Sequence, residues 1–66
     1  MTADQIATQT CFRRDEAEQI AERLSGYEHL TPAFLAMMAA GYRSYEICGG
    51  LTVLRQALNA KTALPG

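Results

Sequence analysis

The sequence predicts an all-α fold: a small bundle of three helices, with an N-terminal segment that forms a fourth helix or an arm, or else a helical hairpin that dimerises. Three observations support it. Apolar residues recur at helical spacing, no alternating run of β-branched or aromatic residues suggests a strand, and the prolines at positions 32 and 65 lie outside the interiors of the apolar runs. We expect one domain over residues 1–66.

The N-terminal half is predicted to contain one well-defined helix, over about residues 14–25. Asp15 is the expected N-cap, with Glu18 as its capping-box partner, and Gly26 follows as a C-terminal cap. Residues 1–11 form either a flexible arm or a short helix that begins with a weak capping box of its own.

The second predicted helix covers about residues 32–41. Thr31 supplies a capping hydroxyl and Pro32 occupies the first helical position, a common arrangement at helix starts. Because this helix is apolar on every side, we expect it to be central, packed between the other helices or against a second copy. Gly41 favours a break before the next helix.

The third predicted helix covers about residues 43–60 and has two faces. One face is a coiled-coil-like seam of Ile47, Leu51, Leu54 and Leu58, and the roughly opposite face carries Tyr42, Tyr45, Gly49 and Val53. Glycines inside a helix cost about 1 kcal/mol each relative to alanine. The pair Gly49–Gly50 therefore indicates a kink or a close approach to another backbone.

A chain of 66 residues buries a small core, and many of its hydrophobic residues are alanine. Small domains of this kind often depend on a partner or a second copy for stability. We therefore predict a homodimer, with an oligomer seam drawn from the large apolar side chains of the second and third helices: Phe34, Met38, Ile47, Leu51, Leu54 and Leu58.

Composition argues against several functional classes. A net charge of −1 gives no basic field for nucleic acid. The uncharged run of residues 29–42 is shorter than the roughly 20 apolar residues that span a bilayer. No signal peptide is recognisable and two cysteines do not make a secreted disulfide scaffold, so we expect a cytoplasmic protein without a membrane or a cofactor.

The sequence also offers little for catalysis or metal binding. A nucleophilic set of Cys48, His29 and either Glu28 or Glu46 lacks any supporting motif, and a buried structural cysteine is the simpler interpretation. Cys11, His29 and Cys48 could hold zinc only by converging in the fold, because the paired ligand spacing of zinc sites is absent. A Cys11–Cys48 disulfide is a further alternative that a reducing compartment disfavours. We predict no enzymatic activity and no metal site.

The stretch QIAERLSGYEHLTPAFLAMM resembles a helix-turn-helix in its spacing over about twenty residues. The resemblance implies a small dimeric DNA-binding regulator, our alternative function. The helix in the recognition position carries no side chain that reads bases, so phosphate contacts would come from other positions: Arg13, Arg14, Arg43, Arg55 and Lys61.

The preferred hypothesis is a non-enzymatic regulator or inhibitor that docks on a larger protein, of the kind that phages and mobile elements use to modulate host machinery. Tyrosine and arginine are enriched at binding hot spots, and they cluster near the start of the third helix. The predicted binding residues are these anchors and two acids that steer a basic partner: Tyr27, Tyr42, Arg43, Tyr45, Glu18 and Glu22. For the tyrosines, packing against the chain's own first helix is the open alternative.

Overall fold

The computed structural model describes residues 1–63, with side chains described through Lys61, and contains four α-helices. These are α1 (Ala3–Gln9), α2 (Arg14–Leu24), α3 (Thr31–Ala39) and α4 (Ser44–Ala63), with a 3₁₀ turn at Glu28–Leu30 directly before α3. The all-α prediction is confirmed, and no strand occurs within the described part of the chain. The N-terminal segment is a helix rather than an arm.

Three of the four helices begin with the same device, in which a side chain three residues on accepts the backbone N–H of the residue before the helix. Gln5 accepts from Thr2 at 2.9 Å in α1, and the Thr2 hydroxyl in return accepts the Gln5 N–H at 3.2 Å. In α4, Oε1 of Glu46 accepts from the Arg43 N–H at 2.8 Å. These bonds satisfy donors that every helix start leaves unpaired.

The start of α2 uses this device at a different place from the one the sequence predicts. Arg13 is the N-cap, its backbone N–H donates to Oε1 of Glu16 at 2.8 Å, and its carbonyl accepts the Ala17 N–H at 2.9 Å. The predicted pairing of Asp15 with Glu18 is wrong. Asp15 and Glu18 both lie inside the helix, because the side chain of Glu16 is the one that accepts the backbone N–H of the N-cap residue.

The start of α3 also differs from the prediction. Leu30 is the N-cap, and Thr31 is already helical, with no side-chain capping bond at this end. The 3₁₀ turn at Glu28–Leu30 runs directly into α3, so its hydrogen bonds replace the expected hydroxyl cap. Pro32 still lies in the first turn, where its missing N–H costs nothing.

Two glycines end helices as predicted. Gly26 has φ 77° just after α2, and Gly41 has φ 89° just after α3, a left-handed conformation that suits glycine. At Gly41 the N–H of Tyr42 donates to the Met37 carbonyl at 3.2 Å and the N–H of Gly41 donates to the Met38 carbonyl at 3.0 Å, which is a Schellman motif. Helices α3 and α4 are therefore separate.

The core lies between α2 and α4, with α1 packed on α2 and α3 packed on α4. The prediction of a central, sandwiched α3 is wrong for the single chain. Phe34 is the one fully buried side chain of α3, and Leu35 is 39% exposed. Alanine makes up much of the outward surface of α3, and an exposed alanine leaves little apolar area in water. The core members are Ile6, Ala17, Ile20, Leu24, Leu30, Phe34, Ile47, Cys48 and Leu51.

Half of the predicted oligomer seam is used by the chain itself. Phe34, Ile47 and Leu51 are 0% exposed, so they have no surface left for a second copy. Met38 and Leu58 are half-buried at the edge of the core, and Leu54 is exposed. The heptad-like spacing of α4 therefore reflects packing within the chain. An amphipathic helix that faces an intramolecular core produces the same spacing as a coiled-coil seam.

Contacts along α2 and α4 show that the two helices run parallel. Successive α2 residues meet successive α4 residues in the same order, in the pairs Glu16 with Ser44, Arg23 with Thr52 and, just after α2, Tyr27 with Asn59. Helix α3, which lies between them in sequence, carries the chain back to the end of the molecule where α2 begins. Both helix starts consequently lie at one end of the molecule, beside the loops that precede them.

Candidate functional site

A groove of about 500 Å³ lies where the α1–α2 connection meets the α3–α4 connection. We call it the Tyr42 groove. One wall is the chain from residue 9 to residue 12, and the other is the end of α3 with the loop into α4. Its lining residues are Gln9, Thr10, Cys11, Phe12, Met38, Gly41, Tyr42 and Arg43.

The first wall is shaped by Thr10, which follows α1. Its hydroxyl donates to the Ile6 carbonyl at 2.6 Å and accepts the Phe12 N–H at 3.2 Å. Those two bonds hold the connection in a tight turn, so that Phe12 packs partly against the core and partly lines the groove. Cys11 lies at the tip of the turn and is exposed.

The second wall depends on the Schellman motif at Gly41. The backbone of Tyr42 is fixed by its hydrogen bond to the Met37 carbonyl, and the residue is 50% exposed at the groove. Arg43 follows at once and is also exposed, with its backbone held by Glu46. A tyrosine ring and a guanidinium thus lie on a hydrogen-bonded turn, beside the apolar side chains of Met38 and Phe12 that line the two walls.

Glu16 joins the two helix starts beside the groove. Its carboxylate accepts the Arg13 N–H and also the Ser44 hydroxyl of α4. The hydrogen bond from Ser44, followed by that from Arg13, lowers the pKa of Glu16 below its ordinary value. Glu16 therefore links the start of α2 to the start of α4.

The outward face of α4 continues from the groove. Tyr45 is 71% exposed and Val53 is 63% exposed, with exposed Gly49 between them. At this exposure Tyr45 is mostly in solvent, so packing against the chain's own first helix, the alternative left open for the tyrosines, does not account for it. Exposed large apolar side chains at helical spacing are typical of interaction surfaces. We call Tyr42, Tyr45 and Val53 together the tyrosine face.

Tyr27 does not join this surface. Its hydroxyl donates to Oδ1 of Asn59 at 3.0 Å, and the guanidinium of Arg55 lies 4.5 Å from its ring centroid. Asn59 is fourteen residues after Tyr45 on the same helix, a separation of about 21 Å at 1.5 Å per residue. The fold therefore separates Tyr27 from the other predicted anchors.

The predicted steering acids Glu18 and Glu22 are exposed on α2. With Asp15 they lie on the side of the helix away from Ala17, Ile20 and Leu24, at 100° per residue. The Glu22 carboxylate lies 3.7 Å from Nη1 of Arg23, a loose and largely exposed pair that contributes little to stability.

The candidate thiol and metal residues stay apart. Cys11 is exposed and Cys48 is buried, both as free thiols, and burial raises the pKa of Cys48. Within the described residues, no group of three or more histidine, cysteine or acidic side chains is arranged to hold a metal ion. None of the helices in this part of the chain has the length and apolar character needed to cross a bilayer.

Sequence reasoning missed Phe12 and the turn around Thr10 as parts of the site. The available signal was a large aromatic residue in a short connection between helices, next to the arginine pair 13–14. Its partners Met38 and Tyr42 lie more than twenty residues away, and only the packing of the two connections brings them together.

Comparison with protein-family models, with curated proteins and with solved structures finds no match to this chain.

Proposed function

We propose that this chain is a non-enzymatic regulator that docks on a larger protein through the Tyr42 groove and the tyrosine face. The observation that supports this most is the exposure of Tyr42 and Tyr45 on a rigid turn and helix, next to a groove with apolar walls. Tyrosine and arginine anchors beside such a pocket are the usual composition of binding hot spots. Modulation of host machinery by a phage or mobile element is one setting for it.

The chemistry of the groove defines the partner segment. The groove accepts an apolar side chain between Phe12 and Met38, and Arg43 at its rim favours a carboxylate next to that side chain. The partner's docking segment is therefore an apolar residue flanked by an acid. A separate basic patch on the partner would be steered by Asp15, Glu18 and Glu22, which raise the association rate rather than the affinity.

A photo-crosslinker placed at position 45 would capture the partner from a lysate of the organism that encodes the chain, and the same label at exposed Gln19 of α2 is the matched control. The captured protein is then purified for titration. Tyr45→Ala should weaken binding about 30-fold, the effect of a 2 kcal/mol hot spot, and should leave the melting temperature unchanged.

Tyr27→Ala is the matched control, because it removes the same type of side chain at a position about 21 Å from Tyr45. It should lower the melting temperature, since it removes the bond to Asn59 and the stacking on Arg55, and it should leave the affinity unchanged. If Tyr45→Ala lowered the melting temperature and not the affinity, Tyr45 would be a packing residue and the proposal would fail.

Homodimerisation is the competing use of the same surface. Leu35, Val53 and Leu54 are also exposed, and a second copy could cover them. Light scattering over a wide concentration range distinguishes the two uses. A monomer leaves the tyrosine face open for a partner, whereas a concentration-independent dimer that Tyr45→Ala disrupts would assign the face to self-association.

The DNA-binding alternative stays a prediction with little support from α3. Its exposed positions are Pro32, Leu35, Ala36 and Ala39, which have no side-chain donor or acceptor for base edges. Of the arginines that it requires, Arg14 is paired with Asp4 at 2.6 Å. A salt-sensitive shift of duplex DNA that is lost in Arg13→Ala and Arg43→Ala would favour it over protein docking.

A further inference from the structure

A second groove, of about 310 Å³, lies between α2 and α4 and is distinct from the Tyr42 groove. Its lining is polar and carries two arginines from different helices. No carboxylate is among the lining residues, which are Arg23, Thr52, Arg55, Gln56 and Asn59.

Both guanidiniums are held in place by neighbours that leave donors free. Nε of Arg23 donates to the Thr52 hydroxyl at 3.1 Å, and Thr52 donates onward to the Cys48 carbonyl at 2.8 Å. The Arg55 guanidinium is 4.5 Å from the Tyr27 centroid. A guanidinium over an aromatic ring keeps its in-plane N–H groups available for a further ligand.

Asn59 is oriented in the same way. Its Oδ1 accepts the Tyr27 hydroxyl, so the amide NH₂ is the part of the side chain left to donate. Gln56 supplies a second amide on the same stretch of α4. The groove therefore collects donors from four side chains, Arg23 on α2 and three on α4, around a space about ten times the 30 Å³ that one water occupies.

The positive charge of the groove is poorly compensated. The carboxylate of Glu22 lies 3.7 Å from Nη1 of Arg23, and the Glu22 side chain is 75% exposed, so this ion pair is loose and open to solvent. Between Ile47 and Lys61, α4 contains no aspartate or glutamate. Two guanidiniums at one groove repel each other, so binding an anion would relieve a cost that the folded chain otherwise carries.

We propose that this groove binds a phosphate monoester. A monoester carries a charge of about −1.5 to −2 near neutral pH and three acceptor oxygens, which matches two guanidiniums and the amide donors. A carboxylate is satisfied by a single guanidinium fork and would leave the second one uncompensated. The remaining volume accommodates part of the group that carries the phosphate. This site does not depend on the proposed protein docking.

The test is an NMR titration of the arginine Nε–H signals with inorganic phosphate, and with acetate as the monoanionic comparison. Saturable shifts of Arg23 and Arg55 are expected with phosphate, with a dissociation constant of about 1 mM or lower, and weaker shifts with acetate. Arg23→Gln and Arg55→Gln should each weaken binding about tenfold or more. Arg13→Gln, the same change at an exposed position outside the groove, should have no effect.

Arg55→Gln also removes the stacking on Tyr27, so a second variant keeps both arginines. Gln56→Glu places a carboxylate in the groove and should abolish phosphate binding, while Gln19→Glu, on exposed α2 surface, should not. Unsaturable shifts, or equal binding by wild type and Gln56→Glu, would overturn the proposal. Tighter binding of adenosine 5′-monophosphate than of inorganic phosphate would support a phosphate monoester as the ligand, whereas binding no tighter than that of inorganic phosphate would overturn the monoester and assign the groove to free phosphate.

Discussion

The adjacent glycines of α4 offer a sensitive test of how α3 packs on α4. The perturbation is alanine at position 49 or at position 50, one at a time. Both residues lie within the regular helix Ser44–Ala63. A methyl group added at Gly49 would meet no atom within 4 Å, whereas one added at Gly50 would lie 3.0 Å from Sδ and 3.5 Å from Cε of Met37.

The two substitutions should therefore differ in magnitude. Alanine is about 0.8–1.0 kcal/mol better than glycine inside a helix, so Gly49→Ala should stabilise the chain by about 1 kcal/mol. That corresponds to a rise of about 4–8 °C in melting temperature for a domain of this size. At Gly50 the same gain is opposed by overpacking, which costs about 1 kcal/mol where a flexible methionine can move aside, so the net change should be close to zero.

The assay is thermal unfolding followed by circular dichroism, for wild type, each glycine variant, Met37→Ala alone, and each glycine variant in the Met37→Ala background. Sucrose in every sample keeps the weaker chains folded. With the thioether removed, Gly50→Ala should regain the full 1 kcal/mol, which gives a coupling energy of about the same size.

Two results would contradict this reasoning. If Gly50→Ala stabilised the wild-type chain as much as Gly49→Ala, Met37 would not be in close contact with that position. If Gly49→Ala gave no gain, α4 would not be a continuous helix at its exposed glycine.

Three further substitutions or reactions test other parts of the structure. Phe34→Ala should lower the free energy of unfolding, measured with urea, by about 3–5 kcal/mol, because the ring is fully buried. Folding lowers the pKa of Glu16, so its ionised carboxylate stabilises the fold at pH values above the ordinary glutamate pKa. This stabilisation is lost as the pH falls through the lowered pKa. Glu16→Gln should thus lower the melting temperature at neutral pH and flatten its fall in acid, whereas Glu18→Gln should do neither. Iodoacetamide should label exposed Cys11 well before Cys48, whose burial and raised pKa both disfavour the thiolate, as mass spectrometry of peptides can show; equal rates would contradict the buried position.

The positions of the helices are readable from local chemistry. Gly26 and Gly41 end helices because the left-handed backbone conformation costs glycine little, and Thr2 with Gln5 begins one because the two side chains complete each other's bonds. The N-cap of α2 was misplaced by two residues for a related reason. Several acids follow one another there, and any of them could reach back to a free N–H, so local sequence does not decide which one does.

The location of α3 at the edge of the fold could not be predicted from the hydrophobic pattern of the sequence. A helix that is apolar on every side is expected to be central, but α3 owes much of its apolar character to alanine. Alanine is compatible with water as well as with a core, because its exposed area is small. Its position at the edge follows from which larger residues face it, and Phe34 alone reaches the core fully.

The candidate surfaces were predictable to different degrees. The exposure of Tyr45 and Val53 follows from their angular distance from Ile47 and Leu51 on one helix, so periodicity alone gives it. Phe12 could not be placed beside Tyr42 in this way, because the two residues belong to different connections. Likewise, the shared groove of Arg23 and Arg55 exists only because α2 and α4 run parallel, which no local pattern encodes.

By itself, the sequence determined that this protein is helical, where α2 and α3 end and which face of α4 is apolar and buried, since each of these depends on interactions among residues a few positions apart. Only the tertiary structure decided that α2 and α4 are the central pair and that half of the predicted seam is internal. It also decided that Tyr27 stacks on Arg55 while Tyr42 and Tyr45 remain exposed. The physical reason is that packing selects among alternative partners by shape and burial over long sequence separations, and local propensity does not constrain that choice.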